Sequence, residues 1–462
     1  MDTGQLTRLL GDWSALSRRL ADSLADAVID LVDAGLLSPG DELPPQRDLS
    51  TALGVSRGTV TLAAQILEER GYLEARRGSG ARIRLGVEHA ARVGQGRFLS
   101  FTDTPVDVID LSSGALPASG VTRDVLAAPI ASDLELYLGT DGYFPAGLPA
   151  LRQAIADHLS ADGMPTVAAE VLVTTGAQQS LDLALRLATE PGDLMLVEEP
   201  TYRGALEAAQ AWEARVEGIP MVHGGIDVGL VAQAIHRKPV ALYCQTSIHN
   251  PTGQTMRPAD RRALADVINA AGLVTIEDCS SYEVTVSGSP AHSLAGLVDP
   301  ELLITVGTLS KLFWGGLRLG WVRTTETRVR SLLELRKSRD LASAVPSQLW
   351  GVRLLARSEE ARRQRRDLLT ERLQAAESAV SAYFPEWTWS PIAGGSGLWI
   401  DTHADALAIS ELARRARVKL AAGPNFSAYG GQRTMLRLPV WHETTLLNRA
   451  LETVARGREG RR

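Results

Sequence analysis

The sequence predicts two unlike folds in one chain of 462 residues. The first is a small helical head that ends in a β-hairpin. The second is an α/β body with a large, doubly wound, mostly parallel sheet and a smaller α+β lobe. Three observations carry this prediction: the helical periodicity of the first 70 residues, a glycine-centred hairpin after them, and a regular alternation of apolar strand-like runs with helical stretches from residue 108 onward.

The composition suits a globular protein and excludes several other classes. The chain is 45% hydrophobic and 22% charged, which is enough to bury a sizeable core. A net charge of -6 argues against a wholly basic nucleic-acid coat but leaves room for one basic patch. Two cysteines, Cys244 and Cys279, are too few for a disulfide framework, so we expect a reducing cytoplasm. We find no signal-peptide pattern and no apolar run of ~18 residues, so we expect no membrane span.

The head is predicted to occupy residues 1–84. Apolar residues at helical spacing predict a first helix over residues 13–34. A short second helix is then expected to break at Gly54, and a third begins at the capping residue Ser56. The remaining residues, 72–84, predict two short strands around the turn Gly78-Ser79-Gly80.

This order matches a helix-turn-helix followed by a wing, the arrangement in which the helix after the turn enters the major groove. Its first residues, Ser56, Arg57, Gly58, Thr59 and Thr61, offer a guanidinium fork and hydroxyls without bulk. Residues 42–84 contain seven Arg against five Asp and Glu, a net of +2, so basic charge concentrates in the head. From these residues alone, a small helical domain with solvated arginines stays open as the alternative.

A family resemblance favours the DNA-binding interpretation. The segment "LPPQRDLSTALGVSRGTVTLAAQILEERGYLEARRGSGARIR" resembles the winged helix-turn-helix of GntR-type bacterial transcription regulators over about 70 residues. The resemblance implies sequence-specific operator DNA as a partner. The residues it implies as DNA contacts are Arg47, Ser56, Arg57, Thr59 and the wing near Arg77 and Gly78; Thr61 joins them because it stands near the start of the same helix.

A linker is predicted over residues 85–107, because this segment has weak periodicity and scattered glycines. The body follows over residues 108–462. Its strand-like runs "VLVTTG", "LMLVEEP", "VALYCQT", "LVTIED" and "LLITVG" alternate with helical stretches, which is typical of a parallel sheet with crossover helices. From roughly residue 350, long helices and short strands predict the smaller lobe.

Polar residues cluster where these predicted strands end, which is the edge where a doubly wound sheet builds its ligand site. The set comprises Gly176, Ala177 and Gln178 in "TTGAQQS", Tyr202, Asn250 in "HNPTG", Asp278, and Thr308, Ser310, Lys311 and Arg318 in "TLSKLFWGGLRLG". Each has an ordinary alternative, such as a solvated lysine, a turn asparagine or a packed tyrosine. Their joint occurrence in this order favours a site.

Pyridoxal phosphate chemistry needs these residue types. A lysine amine (Lys311) forms the Schiff base, and a carboxylate (Asp278) keeps the pyridine nitrogen protonated. An amide (Asn250) reaches the ring oxygen, and an aromatic face (Tyr202) covers the ring. Helix-start amides, hydroxyls and an arginine bind the phosphate. The predicted phosphate-binding residues are Gly176, Ala177, Gln178, Thr308, Ser310 and Arg318.

The same order of motifs resembles fold-type I pyridoxal-phosphate aminotransferases over about 350 residues. The resemblance implies that Lys311 forms the internal aldimine and that Arg437 in "MLRLPV" clamps an effector carboxylate. It also implies that Tyr143 reaches the partner subunit's phosphate site, and hence a head-to-tail, domain-swapped homodimer. One departure stands out: the family tyrosine two or three residues after the aspartate is missing, and Tyr282 stands four residues after Asp278. We therefore leave Tyr282 out of the predicted site.

Together, the head and the body resemble the MocR subfamily of GntR-family regulators, including its PdxR and GabR types. This resemblance implies a pyridoxal-phosphate-dependent transcription regulator whose effector is the cofactor or its aldimine with an amino compound. It implies control of vitamin B6 or amino-compound metabolism, no metal, slow transaminase activity at most, and a cytoplasmic, nucleoid-associated location. A small amine or amino acid and RNA polymerase are candidate partners. Two alternatives stay open: an active aminotransferase tethered to DNA, and a DNA-binding protein whose body serves only for dimerisation.

Overall fold

The computed structural model describes residues 3–10, 13, 19–33, 37, 41–70, 72–75, 81–83, 107–286 and 292–459. The predicted wing contacts Arg77 and Gly78 lie outside the described residues. So does the predicted linker, apart from residue 107.

The described head has four helices and a two-stranded antiparallel sheet. Its elements are α1 (Thr3–Leu10), α2 (Leu20–Asp33), α3 (Gln46–Leu53), α4 (Arg57–Glu69), β1 (Leu73–Ala75) and β2 (Ala81–Ile83). Helix α1 was not predicted, and the described α2 begins at Leu20, within the helix expected over residues 13–34. The head core includes buried Leu6, Leu24, Val60 and Ile83, so all of its helices and the hairpin share one apolar centre.

The turn between α3 and α4 follows from two residues. Gly54 ends α3 in the left-handed conformation with φ 66°, which costs glycine little because it has no Cβ. Ser56 then caps α4, because its side chain accepts a hydrogen bond from the Thr59 backbone N–H. These two residues set the helix-turn-helix geometry that the sequence predicted.

The body contains an eight-stranded sheet in the order β4-β11-β10-β9-β8-β5-β6-β7. The pairings along β10, β9, β8, β5 and β6 are parallel, and the outer pairings are antiparallel. The strands are β4 (Val171–Thr174), β5 (Leu194–Glu199), β6 (Arg215–Val222), β7 (Gly225–Ile226), β8 (Ala241–Cys244), β9 (Val274–Asp278), β10 (Leu303–Thr308) and β11 (Gly320–Arg323). The doubly wound, mostly parallel sheet is therefore confirmed.

Helices cover both faces of this sheet, and three apolar clusters of the described residues lie against it. The helices of this part are α5 (Gly120–Ala127), α6 (Ala131–Leu138), α7 (Pro149–Ala161), α8 (Ala177–Ala188), α9 (Arg203–Ala211), α10 (Val228–Ala234), α11 (Pro258–Ala271), α12 (Glu326–Lys337) and α13 (Val345–Leu355). Residues of β4, β5, β8, β9 and β10 are almost completely buried, which explains their continuous apolar runs.

A second sheet of five strands, in the order β12-β13-β15-β14-β3, forms the smaller lobe. Its strands are β3 (Ile109–Leu111), β12 (Thr388–Trp389), β13 (Gly397–Asp401), β14 (Val418–Ala422) and β15 (Met435–Pro439). Its helices are α14 (Ser358–Tyr383), α15 (Ala406–Arg415) and α16 (Thr444–Glu459). The lobe thus also includes β3 from the start of the body, which pairs in parallel with β14, in addition to the predicted residues from roughly 350. None of the described helices is long and apolar enough to cross a membrane.

Candidate functional site

One cavity of about 470 Å³ lies at the carboxyl ends of the parallel strands. Ten of the residues predicted for a cofactor or effector site line it. They are Ala177, Gln178, Tyr202, Asn250, Asp278, Thr308, Ser310, Lys311, Arg318 and Arg437. Gly176 lies directly behind this wall, since a Cβ there would meet Arg318 Nη2 at 3.0 Å. Tyr143 does not line the cavity and is 59% exposed.

Lys311 follows β10, and its amine faces the cavity. Its Nζ donates a 3.0 Å hydrogen bond to the carbonyl oxygen of Gly114. Burial, together with the nearby cation of Arg437, lowers the pKa of Lys311 to about 8, although Asp278 opposes the shift. A larger share of the amine is therefore neutral near physiological pH than in an ordinary lysine, and the neutral amine is the nucleophilic form.

Asp278 ends β9 and is held by several donors. The Tyr243 hydroxyl donates to Asp278 Oδ2 at 2.8 Å, and the Ser280 backbone N–H donates to Oδ1 at 2.8 Å. Burial raises the pKa of Asp278, while these hydrogen bonds and the charge of Lys311 oppose the rise. The result is a buried carboxylate suited to a cationic ring nitrogen. Tyr243 was missed in the sequence, because only the pairing of β8 with β9 brings it to Asp278.

Asn250 and Tyr202 lie on two further walls. Gln245 holds the backbone of Asn250 from both sides: its Oε1 accepts from the Asn250 N–H at 3.2 Å, and its Nε2 donates to the carbonyl at 3.1 Å. Among the described atoms the Asn250 side-chain oxygen is buried without a hydrogen-bond partner. The Tyr202 hydroxyl donates to Gln178 Oε1 at 3.1 Å, and burial raises the pKa of Tyr202 to about 12, so it stays a neutral donor.

The start of α8 and the loop after β10 form a cradle for an anion. Gly176, at φ 122°, precedes α8 without a side-chain cap, so the first amides of the helix stay available to a ligand. Thr308 Oγ1 lies 2.9 Å from Ser310 Oγ and accepts from the Ser310 backbone N–H at 3.1 Å, which places both hydroxyls at the cavity wall. Arg318 adds a guanidinium to the same wall.

Arg437, in β15 of the smaller lobe, reaches the opposite side of the cavity. Its Nη2 donates to Ser396 Oγ at 3.2 Å, and Ser396 donates to the carbonyl of Gly114 at 2.8 Å. Gly114 leaves room for this guanidinium, because a Cβ there would stand 2.0 Å from Arg437 Nη2 and displace it. Burial and the nearby Arg203 lower the pKa of Arg437 to about 10. Arg203, which follows Tyr202 and lines the same cavity, was also missed.

Tyr282 does not line this cavity. Its hydroxyl lies 3.0 Å from His158 Nε2 and 2.9 Å from Asp162 Oδ2, inside a buried polar cluster. His158, Asp162 and Glu283 in that cluster lie close enough to hold a metal ion. The guanidinium of Arg362 from α14 already contacts both carboxylates, so the cluster has its own cation.

The same helix α14 also holds the loop after Lys311. Arg365, one turn beyond Arg362, is buried and donates to the carbonyl oxygens of Leu312 at 2.8 Å and Phe313 at 2.6 Å. Burial lowers the pKa of Arg365 to about 10. Two arginines of α14 therefore bind the segments that follow Asp278 and Lys311. Apolar residues of the same helix form part of the core of the smaller lobe.

In the described part of the head, five of the residues predicted to contact DNA lie on or near the surface around the helix-helix turn. Arg47, Ser56, Arg57 and Thr61 are exposed, and Thr59 is partly exposed. Ser56 is occupied as the cap of α4 and lies 2.9 Å from Thr59 Oγ1, while Thr61 donates to Gln46 Oε1 at 2.9 Å. The hydroxyls thus have local partners in the free protein, and Arg57 opens the first turn of α4.

Comparison with known proteins places both parts in families. Residues 106–454 match the aminotransferase class I and II model, and residues 20–83 match the model of the bacterial regulatory proteins of the gntR family. The HTH-type pyridoxine biosynthesis transcriptional regulator PdxR of Corynebacterium glutamicum is 32% identical over 68% of this chain and 68% of its own length. The chain belongs to the MocR-like subfamily of GntR regulators. This MocR-like chain is a DNA-binding transcription regulator with an aminotransferase-like domain, a fold that is commonly dimeric.

Other relatives agree with this architecture. The uncharacterized HTH-type transcriptional regulator YisV of Bacillus subtilis is 27% identical over 92% of the MocR-like chain and 91% of its own length. The crystal structure of LysN, the alpha-aminoadipate aminotransferase of Thermus thermophilus complexed with N-(5'-phosphopyridoxyl)-L-leucine, has a TM-score of 0.71 at 24% identity. It covers 81% of this chain and 97% of its own length, and at this identity it shows the fold.

Proposed function

We propose that this regulator binds pyridoxal 5'-phosphate in the cavity and that the cofactor, alone or joined to an amino compound, controls the binding of the head to operator DNA. One observation carries the proposal. One cavity brings together a lysine of lowered pKa, a buried carboxylate and an anion cradle at the start of α8. Helix α14 contacts the segments that follow the lysine and the carboxylate.

The residues present fit this cofactor. The amides at the start of α8, behind Gly176, with the hydroxyls of Thr308 and Ser310 and the guanidinium of Arg318, would bind the phosphate. Among the described residues, the buried Asn250 side-chain oxygen lacks a partner, so its amide group is free to turn toward the ring oxygen.

The other walls of the cavity match the ring. Asp278 would pair with the ring nitrogen, and Tyr202 would lie over the ring face. We further propose that Tyr143 of the partner subunit reaches the phosphate in a head-to-tail, domain-swapped homodimer, which agrees with its exposure in the single chain.

When bound, pyridoxal phosphate supplies an aldehyde that takes up a primary amine, either that of Lys311 or that of an effector. The chain contributes the conditions for this exchange. Burial lowers the pKa of Lys311 to about 8, so about half of the amine is neutral at that pH, and the Gly114 carbonyl accepts one of its hydrogen bonds. Arg437 would hold an effector carboxylate, because its buried guanidinium carries a positive charge toward the cavity.

Helix α14 supports the link between the cavity and the rest of the molecule. Arg362 contacts the segment after Asp278, and Arg365 contacts the segment after Lys311. A change at either residue would therefore reach α14, which packs within the core of the smaller lobe. To change operator affinity tenfold, an effector must prefer one state of the protein by ~1.4 kcal/mol. That is about the contribution of one altered hydrogen bond to a charged group.

For the head we propose operator contacts by Arg47, Arg57 and the hydroxyls of Ser56, Thr59 and Thr61. We extend this proposal to Arg77 and Gly78 in the wing, from the family pattern. Genes of vitamin B6 or amino-compound metabolism are the proposed targets, RNA polymerase is a proposed partner, and the nucleoid of a bacterial cytoplasm is the proposed location.

Binding of the full chain to the DNA upstream of its own gene tests the proposal. We expect the affinity to change when pyridoxal phosphate or an amino compound is added, and the change to be lost in Lys311→Ala. The exposed Lys337→Ala in α12 is the matched control. Identical binding with and without cofactor would contradict a sensing role. Rapid turnover of an amino donor and a keto acid would instead favour an active enzyme.

A further inference from the structure

Gln245 is a buried residue of the cavity wall that was missed in the sequence. It directly follows β8, lines the cavity and is 3% exposed. Both polar atoms of its side chain bind the backbone of Asn250: Oε1 accepts from the N–H at 3.2 Å, and Nε2 donates to the carbonyl oxygen at 3.1 Å. An amide side chain can do this because it carries a donor and an acceptor side by side. The two bonds therefore fix where the main chain of Asn250 lies.

The backbone of Gln245 is itself held by a buried carboxylate. Glu198, near the end of β5, is fully buried, and its Oε1 and Oε2 accept from the Gln245 N–H at 3.1 and 3.0 Å. His249 Nε2 lies 3.4 Å from the same carboxylate. Because β5 and β8 are parallel neighbours, this support comes from the sheet. Gln245 thus ties the loop that contains Asn250 to the edge of the sheet.

The side chain of Asn250, in contrast, is left for a ligand. Its Oδ1 is buried, and none of the described atoms is its hydrogen-bond partner. Asn250 shares the cavity wall with Lys311, the residue that would bind the cofactor. Since the backbone of Asn250 is already fixed, binding has to order only the rotation of its side chain. The conformational entropy lost when the amide contacts a ligand is then small.

We propose that Gln245 is a positioning residue, which fixes Asn250 so that its side-chain amide donates to the ring oxygen of bound pyridoxal phosphate. This inference rests on the proposed function. An N–H donor favours the more negatively charged form of the group that it contacts. A correctly placed Asn250 should therefore lower the pH at which the cofactor, bound through Lys311, loses a proton. A displaced Asn250 should raise that pH.

The test titrates the visible absorbance of the full-length, cofactor-loaded protein against pH. Gln245→Met keeps the length of the side chain and removes both hydrogen bonds. We expect the midpoint to rise by about one pH unit, a ten-fold change, in line with one weakened hydrogen bond to a charged group. Asn250→Ala removes the donor itself and should raise the midpoint at least as far. Adding Gln245→Met to Asn250→Ala should change nothing further, because Gln245 acts through Asn250.

Two further variants serve as a second test and a control. Gln245→Leu is also neutral and lacks both hydrogen bonds, so it should give the same shift if Gln245→Met does not fold. Gln153→Met alters an exposed glutamine of α7, whose Nε2 donates to Asp157 at 2.7 Å, and should leave the midpoint at the wild-type value. The charged residues of the cavity wall are the same in all of these variants: Arg203, Glu207, Asp278, Lys311, Arg318 and Arg437.

The outcomes separate this inference from the cofactor proposal. Borohydride reduction followed by peptide mass measurement reports whether each variant carries cofactor on Lys311. An unchanged midpoint in Gln245→Met, or a further shift when it is added to Asn250→Ala, would overturn the positioning role and leave the cofactor proposal intact. So would a failure of both neutral Gln245 variants to take up cofactor while Asn250→Ala does so, since the role would then be structural. A wild-type chain that takes up no cofactor would overturn both.

Discussion

Arg365 Nε donates a 2.8 Å hydrogen bond to the carbonyl oxygen of Leu312, the residue that follows Lys311. The same guanidinium binds the carbonyls of Phe313 and Pro117, each at 2.6 Å. One buried cation of α14 thus fixes the segment that follows Lys311, although the two residues are more than fifty positions apart in the chain.

Arg365→Met is expected to destabilise the body by about 3 kcal/mol or more, because three carbonyls lose a charged donor. The lysine segment should also loosen, so the variant should release cofactor faster. Urea unfolding and the decay of visible absorbance on dilution measure the two effects. Arg363→Met, an exposed position on the same helix, is the control and should change neither. A variant as stable as the control would contradict the importance of these bonds.

Arg362→Met should destabilise the body by about 3–5 kcal/mol at neutral pH, since it leaves the carboxylates of Asp162 and Glu283 buried beside each other. Burial alone would raise the pKa of Glu283, but His158 and Arg362 hold it below its ordinary value. The ionised Glu283 therefore adds to the free energy of unfolding above pH 4.5. This stabilisation is lost as the pH falls through the lowered pKa of Glu283.

The deficit of Arg362→Met should accordingly shrink on acidification below pH 4.5, because the carboxylates then take up protons. Unfolding by urea at a series of pH values measures this. Arg330→Met, which removes an exposed pair with Glu326, serves as the reference and should cost less than about 1 kcal/mol. A deficit that is constant with pH would argue against charge repulsion as its origin.

Tyr243→Phe should weaken pyridoxal phosphate binding about ten-fold, because Asp278 loses the donor that supports its ionised form. Titration of the cofactor-free protein by visible absorbance measures the affinity. Tyr383→Phe removes a hydroxyl from a tyrosine in the smaller lobe, away from the cavity. This control variant should bind pyridoxal phosphate with the wild-type affinity. If both variants bind alike, the hydrogen bond to Asp278 does not matter for the cofactor.

The rate of cofactor uptake by Lys311 should rise with pH and level off above about pH 8, the value to which burial and Arg437 lower its pKa. A lysine at its ordinary value would keep gaining rate up to 10.5. Arg437→Met removes a nearby cation, so the midpoint should move to higher pH. Stopped-flow absorbance over pH 6 to about 10 gives both profiles. A midpoint that stays near 10 in the wild type would show that the amine is not activated.

Arg57→Ala should weaken operator binding and lower the slope of log affinity against log salt by about one, because one guanidinium contact at the start of α4 is lost. Arg70→Ala, at the other end of α4 and paired with Asp26 at 2.6 Å, should leave both quantities nearly unchanged. Fluorescence anisotropy at several salt concentrations measures them. Equal losses in the two variants would indicate a diffuse charge effect.

The sequence by itself determined the features that depend on near neighbours. Gly54 and Ser56 set the turn of the head within three residues. The alternation of apolar strand-like runs with helical stretches predicted the mostly parallel sheet. The order of motifs predicted most residues of the cavity, because chain direction alone brings the carboxyl ends of parallel strands to one edge.

Only the tertiary structure decided which side chains from distant segments meet. Strand register places Tyr243 on Asp278, the packing of α14 brings Arg362 and Arg365 to the two loops, and the approach of β15 to α9 sets Arg437 near Arg203. For Tyr282, spacing along the chain left it out of the predicted site, but only the tertiary structure shows that its hydroxyl lies beside His158. Such contacts depend on the direction of each side chain in three dimensions, and local spacing along the chain does not specify that direction.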